Sequence, residues 1–357
     1  MSQWPDHRIL DLLGIDVPII QAPMAGAQGS SMAIAVSNAG GLGSLPCAML
    51  SHEQLRQELE AFAQACSGPL NVNFFCHQPP EPDTAQAARW KQALKPYYDE
   101  VGADFQAPTP VSNRAPFDEA ACALIEAYRP AVVSFHFGLP RPDLLKRVKA
   151  TGAIVLSSAT TVAEAVWLQA NGCDAIIAMG YEAGGHRGMF LSSDINSQVG
   201  TLALAPQVVD AVQVPVIAAG GIGDGRGIAA AFALGASAVQ LGTAYLFCPE
   251  AKVSAAHRHA LDTACESDTA LTNLFTGRPA RGICNRIMRE LGPMSDLVPA
   301  FPLAGGALMP IRAITDAQGN SDFSNLWSGQ ALRLAQALPA AQLTRKLADD
   351  ALAVLRR

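Results

Sequence analysis

The chain has 357 residues and a formal net charge of -6, with 50% apolar and 16% charged residues. That is a globular composition with material for a large core, which excludes disorder and fibrous repeats. The 25 Lys and Arg against 31 Asp and Glu form no basic stripe that could replace counterions on a nucleic-acid backbone, so no nucleic-acid partner is expected.

Residues 1–14 carry no basic segment followed by an apolar one, and the longest apolar tracts, such as 227–239, fall short of the roughly 20 residues a bilayer span needs. A soluble, cytoplasmic chain with no membrane partner is expected. Short apolar runs rich in β-branched residues recur at 18–22, 41–45, 70–75, 131–136, 153–157, 174–179, 214–219 and 237–241. Helical spacing fills the intervals: Leu55, Leu59, Phe62 and Cys66 share one face, as do Val162, Val166 and Gln169 beside Ala165, and Ile228, Ala231 and Phe232. Thr161 with Glu164 predicts a capping box, and Gly235 is placed to end its helix in the left-handed conformation.

Eight β/α alternations complete by residue 250 predict an α/β protein built on a closed (β/α)8 TIM barrel. An open doubly wound sheet would carry Gly-x-Gly-x-x-Gly after its first strand, where Pro23, Met24, Ala25, Gly26 and Ala27 stand instead. Gly41 and Gly43 are followed by Pro46 at the third glycine position, and Gly221 and Gly223 by Arg226.

Two places break the rhythm. Between the third and fourth runs, a segment opening with Pro79, Pro80 and Pro82 holds a helix expected over 89–98 and a second proline-rich piece at 108–116. After the eighth run, residues 251–325 lose the alternation, and 330–355 returns to helix, interrupted at Pro339. Such insertions form lids or partner contacts. The expected division is a barrel of 1–250 and 326–357 with a smaller second domain, 251–325, inserted after strand eight.

The eight cysteines include no Cys-x-x-Cys and no histidine at ligand spacing; no metal site is expected, and most read as small buried hydrophobes in a reducing compartment. His257 and His259, two apart, read as surface histidines.

Barrel active sites lie at the C-terminal ends of the strands. The seventh run ends in Gly220, Gly221, Gly223 and Gly225, and the eighth in Gln240, Leu241, Gly242 and Thr243. Glycines there let backbone N–H groups approach a phosphate, aided by the following helix N-terminus. Tight βα turns favour glycine regardless of ligand, but two such loops together at the standard positions favour a phosphate-bearing one. The sixth run leads into Gly184, Gly185, His186 and Arg187, where the glycines leave room for a flat ligand and the two polar residues reach the mouth. The fourth run ends with His136 between Phe135 and Phe137, a chemical candidate by its place at a strand exit. Met24 and Asn73 complete the ring.

The segments 21–26 (Gln-Ala-Pro-Met-Ala-Gly), 37–43 (Ser-Asn-Ala-Gly-Gly-Leu-Gly), 71–75 (Asn-Val-Asn-Phe-Phe), 134–138 (Ser-Phe-His-Phe-Gly), 182–188 (Glu-Ala-Gly-Gly-His-Arg-Gly), 218–222 (Ala-Ala-Gly-Gly-Ile) and 239–243 (Val-Gln-Leu-Gly-Thr) occur in this order. The chain closely resembles the nitronate monooxygenases, FMN enzymes built on a TIM barrel with a small second domain. The match is dense from about residue 17 to 250 and continues weakly through 266–271 and 277–281. FMN-dependent enoyl-acyl-carrier-protein reductases and NADH:quinone reductases share a similar Glu-Ala-Gly-Gly-His loop, while the Ser-Phe-His-Phe-Gly segment favours the nitronate branch.

The resemblance implies that Met24 and Asn73 contact the isoalloxazine and that Gly184 lies at the flavin. It implies that Gly221, Gln240, Leu241, Gly242 and Thr243 hold the phosphate and ribityl chain, and that His136 is the catalytic histidine. Met179 stands where the family commonly has an FMN-contacting glutamine. The implied reaction is oxidation of alkyl nitronates, such as propionate 3-nitronate, with O2 to a carbonyl compound and nitrite. His136 is expected to bind the nitronate oxygens, and to take the α-proton if a neutral nitroalkane is used; His186 and Arg187 are weaker substrate candidates. A homodimer is compatible with this reading. Its rivals are NAD(P)H-dependent reduction on the same fold and a flavin-free barrel binding a phosphorylated metabolite.

Overall fold

The computed structural model describes residues 4–111 and 114–357. Each apolar run forms a strand: β1 (Ile19–Gln21), β2 (Gly43–Pro46), β3 (Leu70–Phe75), β4 (Val132–His136), β5 (Ile154–Ala159), β6 (Ala175–Met179), β8 (Val216–Ala219) and β9 (Ala238–Leu241). They make one parallel eight-stranded sheet in the order β1-β9-β8-β6-β5-β4-β3-β2. The barrel expected from the alternation is present. Three further short strands, β7 (Gly185–His186), β10 (Thr269–Thr272) and β11 (Ala280–Ile283), form a separate antiparallel sheet.

Closure between β1 and β2 rests on a single bridge, Ile20 with Leu42. Leu42 N donates to Ile19 O and Gln21 N to Leu42 O, each at 3.0 Å. Side-chain amides extend this thin seam: Ser44 N donates to Gln21 Oε1 at 3.0 Å, Gln21 Nε2 to Gln28 Oε1 at 2.6 Å, and Gln28 Nε2 to Ser44 O at 2.5 Å. Buried polar groups so paired are held in one arrangement by the low dielectric around them.

The helices follow their apolar faces, with corrections. His52–Ala65 buries Leu55, Leu59 and Phe62, as expected, and Ser51 with Gln54 forms a capping box there. In Val162–Ala170 the inward face is Ala165 and Leu168, while Val166 is 43% exposed. Thr161 accepts from Glu164 N, but the Glu164 carboxylate does not return to complete the box. It is buried and accepts instead from Thr160 N and Oγ1 and from Phe190 N and Leu191 N, because four donors inside the protein outcompete one helix end. Gly235 takes φ +87°, as its helix end requires.

The helix expected over 89–98 is two, Thr84–Ala93 and Lys95–Val101, since Pro96 has no N–H to continue the first. Trp90, Leu94, Tyr97 and Tyr98 from these helices pack with Leu274, Phe275, Ile287, Leu308 and Phe323, so both breaks in the rhythm share one apolar cluster outside the barrel. Trp90 Nε1 and Tyr98 Oη donate to Ala304 O and Ala307 O. The proline-rich piece at 108–116 includes residues 112 and 113, which lie outside the described residues. Of 330–355, only Ala340–Leu355 is α-helical, with Pro339 at its start and a short 3-10 turn, Leu332–Leu334, before it. Cys47, Cys122, Cys173 and Cys248 are buried, Cys66, Cys76 and Cys284 partly so, and Cys265 is exposed. Among the described residues, no helix is long and apolar enough to cross a membrane.

Gly43 marks the tightest contact of the seam, where a Cβ would stand 2.0 Å from Ala33 O. Gly43→Ala is expected to destabilise the protein by about 1–3 kcal/mol through overpacking, read as a lowered Tm; an unaltered Tm would show that the helix before β2 is free to yield.

Candidate active site

A cavity of about 730 Å³ opens at the C-terminal rim of the barrel. Met24 after β1, Asn73 on β3, His136 ending β4 and Met179 ending β6 line it, with Gly184 and His186 from the loop beyond β6. Gly221, Gln240, Gly242 and Thr243 line it from the β8 and β9 side. Two candidates do not. Strand alternation sends Leu241 into the core, 1% exposed, while Gln240 faces the cavity. Arg187, expected at the mouth, is fully buried behind the loop: Nη1 and Nη2 donate to Gly180 O and Met179 O at 2.7 and 2.8 Å, and Nε to Gln198 Oε1 at 3.0 Å. It is a brace for the end of β6.

The glycines divide by function. A Cβ on Gly184 would meet Gly329 N at 2.5 Å, so close backbone packing alone requires glycine there. At Gly242 a Cβ would find only ordinary contacts, Ala22 at 3.6 Å and Met24 Sδ at 3.7 Å. Gly220 and Gly221 have positive φ, +105° and +69°. The helix after them, Gly225–Ala233, is already capped by Asp224, which accepts from Arg226 N and Gly227 N. Its N-terminus is therefore neutralised from within, and an anion at this rim depends on the loops.

His136 is held at both nitrogens. Nε2 lies 3.1 Å from His186 O and Nδ1 3.2 Å from Ser158 Oγ. A carbonyl only accepts, so Nε2 carries the proton, Nδ1 is bare, and the Ser158 hydroxyl donates to it. Burial lowers the His136 pKa to about 4, with the charges of Arg278 and Arg187 acting in the same direction. Phe137, next in the chain, is at φ +70°, outside the usual range for a bulky residue. Its ring lies 4.5 Å from His136, 4.9 Å from Phe75 and 5.5 Å from Phe301.

Arg278 stacks on the far side of this cluster, Cζ 3.9 Å from the Phe137 centroid, and donates to Met189 O. His186, whose Nε2 lies 3.0 Å from Thr276 Oγ1, is held well below its ordinary pKa by burial and by Arg114. His257 corrects the surface reading: it is buried, lines the cavity and lies 3.2 Å from Trp327 O, whereas His259 is exposed.

Sequence reasoning missed Ser158, Arg114, Arg312, Asp316 and residues 324–329, all of which line the cavity apart from any recognised motif. Only the position of Ser158 at the end of the fifth run was a signal. Gly329 N donates to Thr243 Oγ1 at 2.8 Å, drawing the later segment across the rim.

The fold is a (β/α)8 barrel with its cavity at the C-terminal ends of the strands, where barrel enzymes carry their active sites. The nitronate monooxygenase family model matches residues 6–350, and the chain belongs to that family. It is 43% identical over 349 residues to the nitronate monooxygenase of Pseudomonas aeruginosa, covering 96% of this chain and 98% of the relative. It is 42% identical over 349 residues to that of Paraburkholderia phytofirmans, covering 97% and 95%. Among solved structures it is similar to a nitroalkane oxidase from Streptomyces ansochromogenes, with TM-score 0.86, 37% identity and 98% and 99% coverage. It is also similar to FabK from Thermotoga maritima, with TM-score 0.73, 27% identity and 98% and 97% coverage.

His77, His136 and His257 each have a pKa lowered to about 4. The unfolded chain binds these protons first, near pH 6.5, so the stability they contribute is complete above that pH and is lost as pH falls towards 4. Tm is expected to drop across this window, and more gently in His136→Gln; equal slopes would mean that His136 takes up its proton at the same pH in the folded and unfolded chains.

Proposed function

We propose that this protein oxidises alkyl nitronates with O2 to a carbonyl compound and nitrite, using FMN bound at the barrel rim. The observation that carries the reading is His136: a neutral imidazole in the wall of the rim cavity, its tautomer set by the carbonyl of His186. The residues present fit the cofactor. Gln240 Oε1 is buried in the cavity with no hydrogen-bond partner, and such an acceptor costs about 1–3 kcal/mol unless a ligand donor meets it. Gly221, Gly242, Thr243 and the backbone of Leu241 would hold the phosphate and ribityl chain beside Gln240, and Met24, Asn73, Met179 and Gly184 would meet the rings. When bound, FMN supplies the electron chemistry with O2.

The chain's own residues handle charge and protons. A nitronate is an anion and a carbanion equivalent, so it needs orientation more than a base. Positive charge from Arg278, with Ser158 and His136 in the wall, favours the anion. The Ser158 hydroxyl can turn from Nδ1 to a nitronate oxygen, while the ring stays fixed through Nε2. A neutral nitroalkane would have to give its proton to Nδ1, the one bare ring nitrogen, whose low pKa makes it a poor base. Nitronates are therefore the preferred form. Phe75, Phe137 and Phe301 keep water from the imidazole. A reducing, cytoplasmic setting suits the free cysteines.

O2 consumption and nitrite release with a nitronate, set against anaerobic mixing with NADH, test the reading; fast bleaching by NADH with no nitronate turnover would replace it with a reductase. Ser158→Ala and His136→Asn are each expected to lower kcat/KM for the nitronate about tenfold with FMN retained, the loss of one hydrogen bond to a charged group; full activity in both variants removes the role.

A further inference from the structure

Trp327, in the later segment drawn across the rim, lines the cavity beside the histidines. Its ring centroid lies 5.5 Å from that of His186, whose carbonyl holds His136, and 5.7 Å from that of Phe275. Its backbone is fixed from two sides: it bridges Gly282 on β11, and its carbonyl accepts from His257 Nε2 at 3.2 Å. The indole packs on that strand at Cε3, which a Cβ on Gly282 would meet at 3.1 Å. Nε1 lies on the opposite edge of the bicyclic ring, away from that contact.

This Nε1 hydrogen-bonds to none of the described residues and is not sealed in the interior, so it stays open to a partner from the cavity. Trp90 shows what a structural tryptophan does instead: its Nε1 donates to Ala304 O at 3.1 Å. The polar groups nearby are spent. His136 is bonded at both nitrogens, His186 Nε2 lies 3.0 Å from Thr276 Oγ1, and Asn73 Nδ2 donates to Ser134 Oγ at 2.9 Å.

An indole N–H is a donor only, and it remains one across the pH range in which imidazoles titrate. A nitronate spreads its negative charge over two oxygens on one nitrogen. The Ser158 hydroxyl can serve one of them, and the other needs a second donor. Donation to an ionised oxygen is roughly twice as strong as donation to a neutral one.

We propose that Trp327 is a substrate-binding residue whose Nε1–H donates to the second oxygen of the nitronate. The proposal rests on the nitronate reading above and adds to it a donor from outside the recognised motifs.

The chain has 4 tryptophans, Trp4, Trp90, Trp167 and Trp327, so the indole signals of a proton–nitrogen correlation spectrum of the FMN-loaded protein are easily told apart. That of Trp327 is the one lost in Trp327→Phe; replacing each of the other tryptophans by Phe identifies it by elimination should that variant not fold. Isobutyrate, which has the heavy-atom skeleton of propyl-2-nitronate without its reactivity, is the probe. A saturable downfield shift of the Trp327 indole proton with isobutyrate is expected. So is a kcat/KM for propyl-2-nitronate about tenfold lower in Trp327→Phe at unchanged FMN content. A Trp327 signal that ignores isobutyrate, or that moves only when FMN is added to the apoprotein, overturns the proposal while leaving nitronate oxidation intact. Full kcat/KM in a folded Trp327→Phe enzyme overturns it as well. If the wild-type protein turns over no nitronate, the functional reading fails, and the isobutyrate shift still decides whether Trp327 receives an anion.

Discussion

The site depends on how the chain leaves β6. Residues 185 and 186 pair as β7 with β11, Gly185 opposite Arg281 and His186 opposite Ala280, and Arg187 N donates to Pro279 O. This pairing spends the backbone of the rim loop on the small antiparallel sheet formed with β10 and β11. It fixes the His186 carbonyl, which sets the tautomer of His136, and it turns Arg187 inward onto the last carbonyls of β6. The barrel and the small sheet are thus joined at the wall of the rim cavity. Were β7 an ordinary flexible loop, the imidazole would lose the acceptor that decides which nitrogen is bare.

Around that joint, positive charge is buried with few carboxylates to answer it. Arg187 is satisfied largely by backbone carbonyls, whereas Arg278 has one carbonyl, Met189 O, and the face of Phe137, with its buried Nε unpartnered. Cations held this way keep their charge without being cancelled. They disfavour protonation of the neighbouring histidines and favour an anionic ligand, the balance suited to binding a nitronate. The glycines show the same separation of tasks: Gly43 and Gly184 answer to close backbone approach, while Gly242 leaves a surface open to ligand.

The barrel was legible because its signal is local and repeated. Each strand is a short apolar run bounded by turns, and all of them lie in one sheet. The strand-end motifs were legible for the same reason, and His136, Met24, Asn73, Gln240 and Thr243 do meet in one cavity. Reading failed where a side chain had several partners to choose among. Glu164 looked like half of a capping box and is a buried acceptor for four donors; Arg187, expected at the mouth, and His257, expected at the surface, are both buried. Local spacing does not reveal which of several polar neighbours will be nearest after folding.

What the sequence by itself determined, then, was the period of the chain, the order of its strands and the set of residues delivered to the rim. Those follow from backbone geometry and apolar burial, which act over a few residues. Only the tertiary structure decided the protonation and tautomer of His136, the inward turn of Arg187, and the gathering of Arg114 and Arg312 in the wall of the cavity. Each of these depends on charges and carbonyls brought together from segments far apart in the chain, and electrostatic energy is set by distance in space.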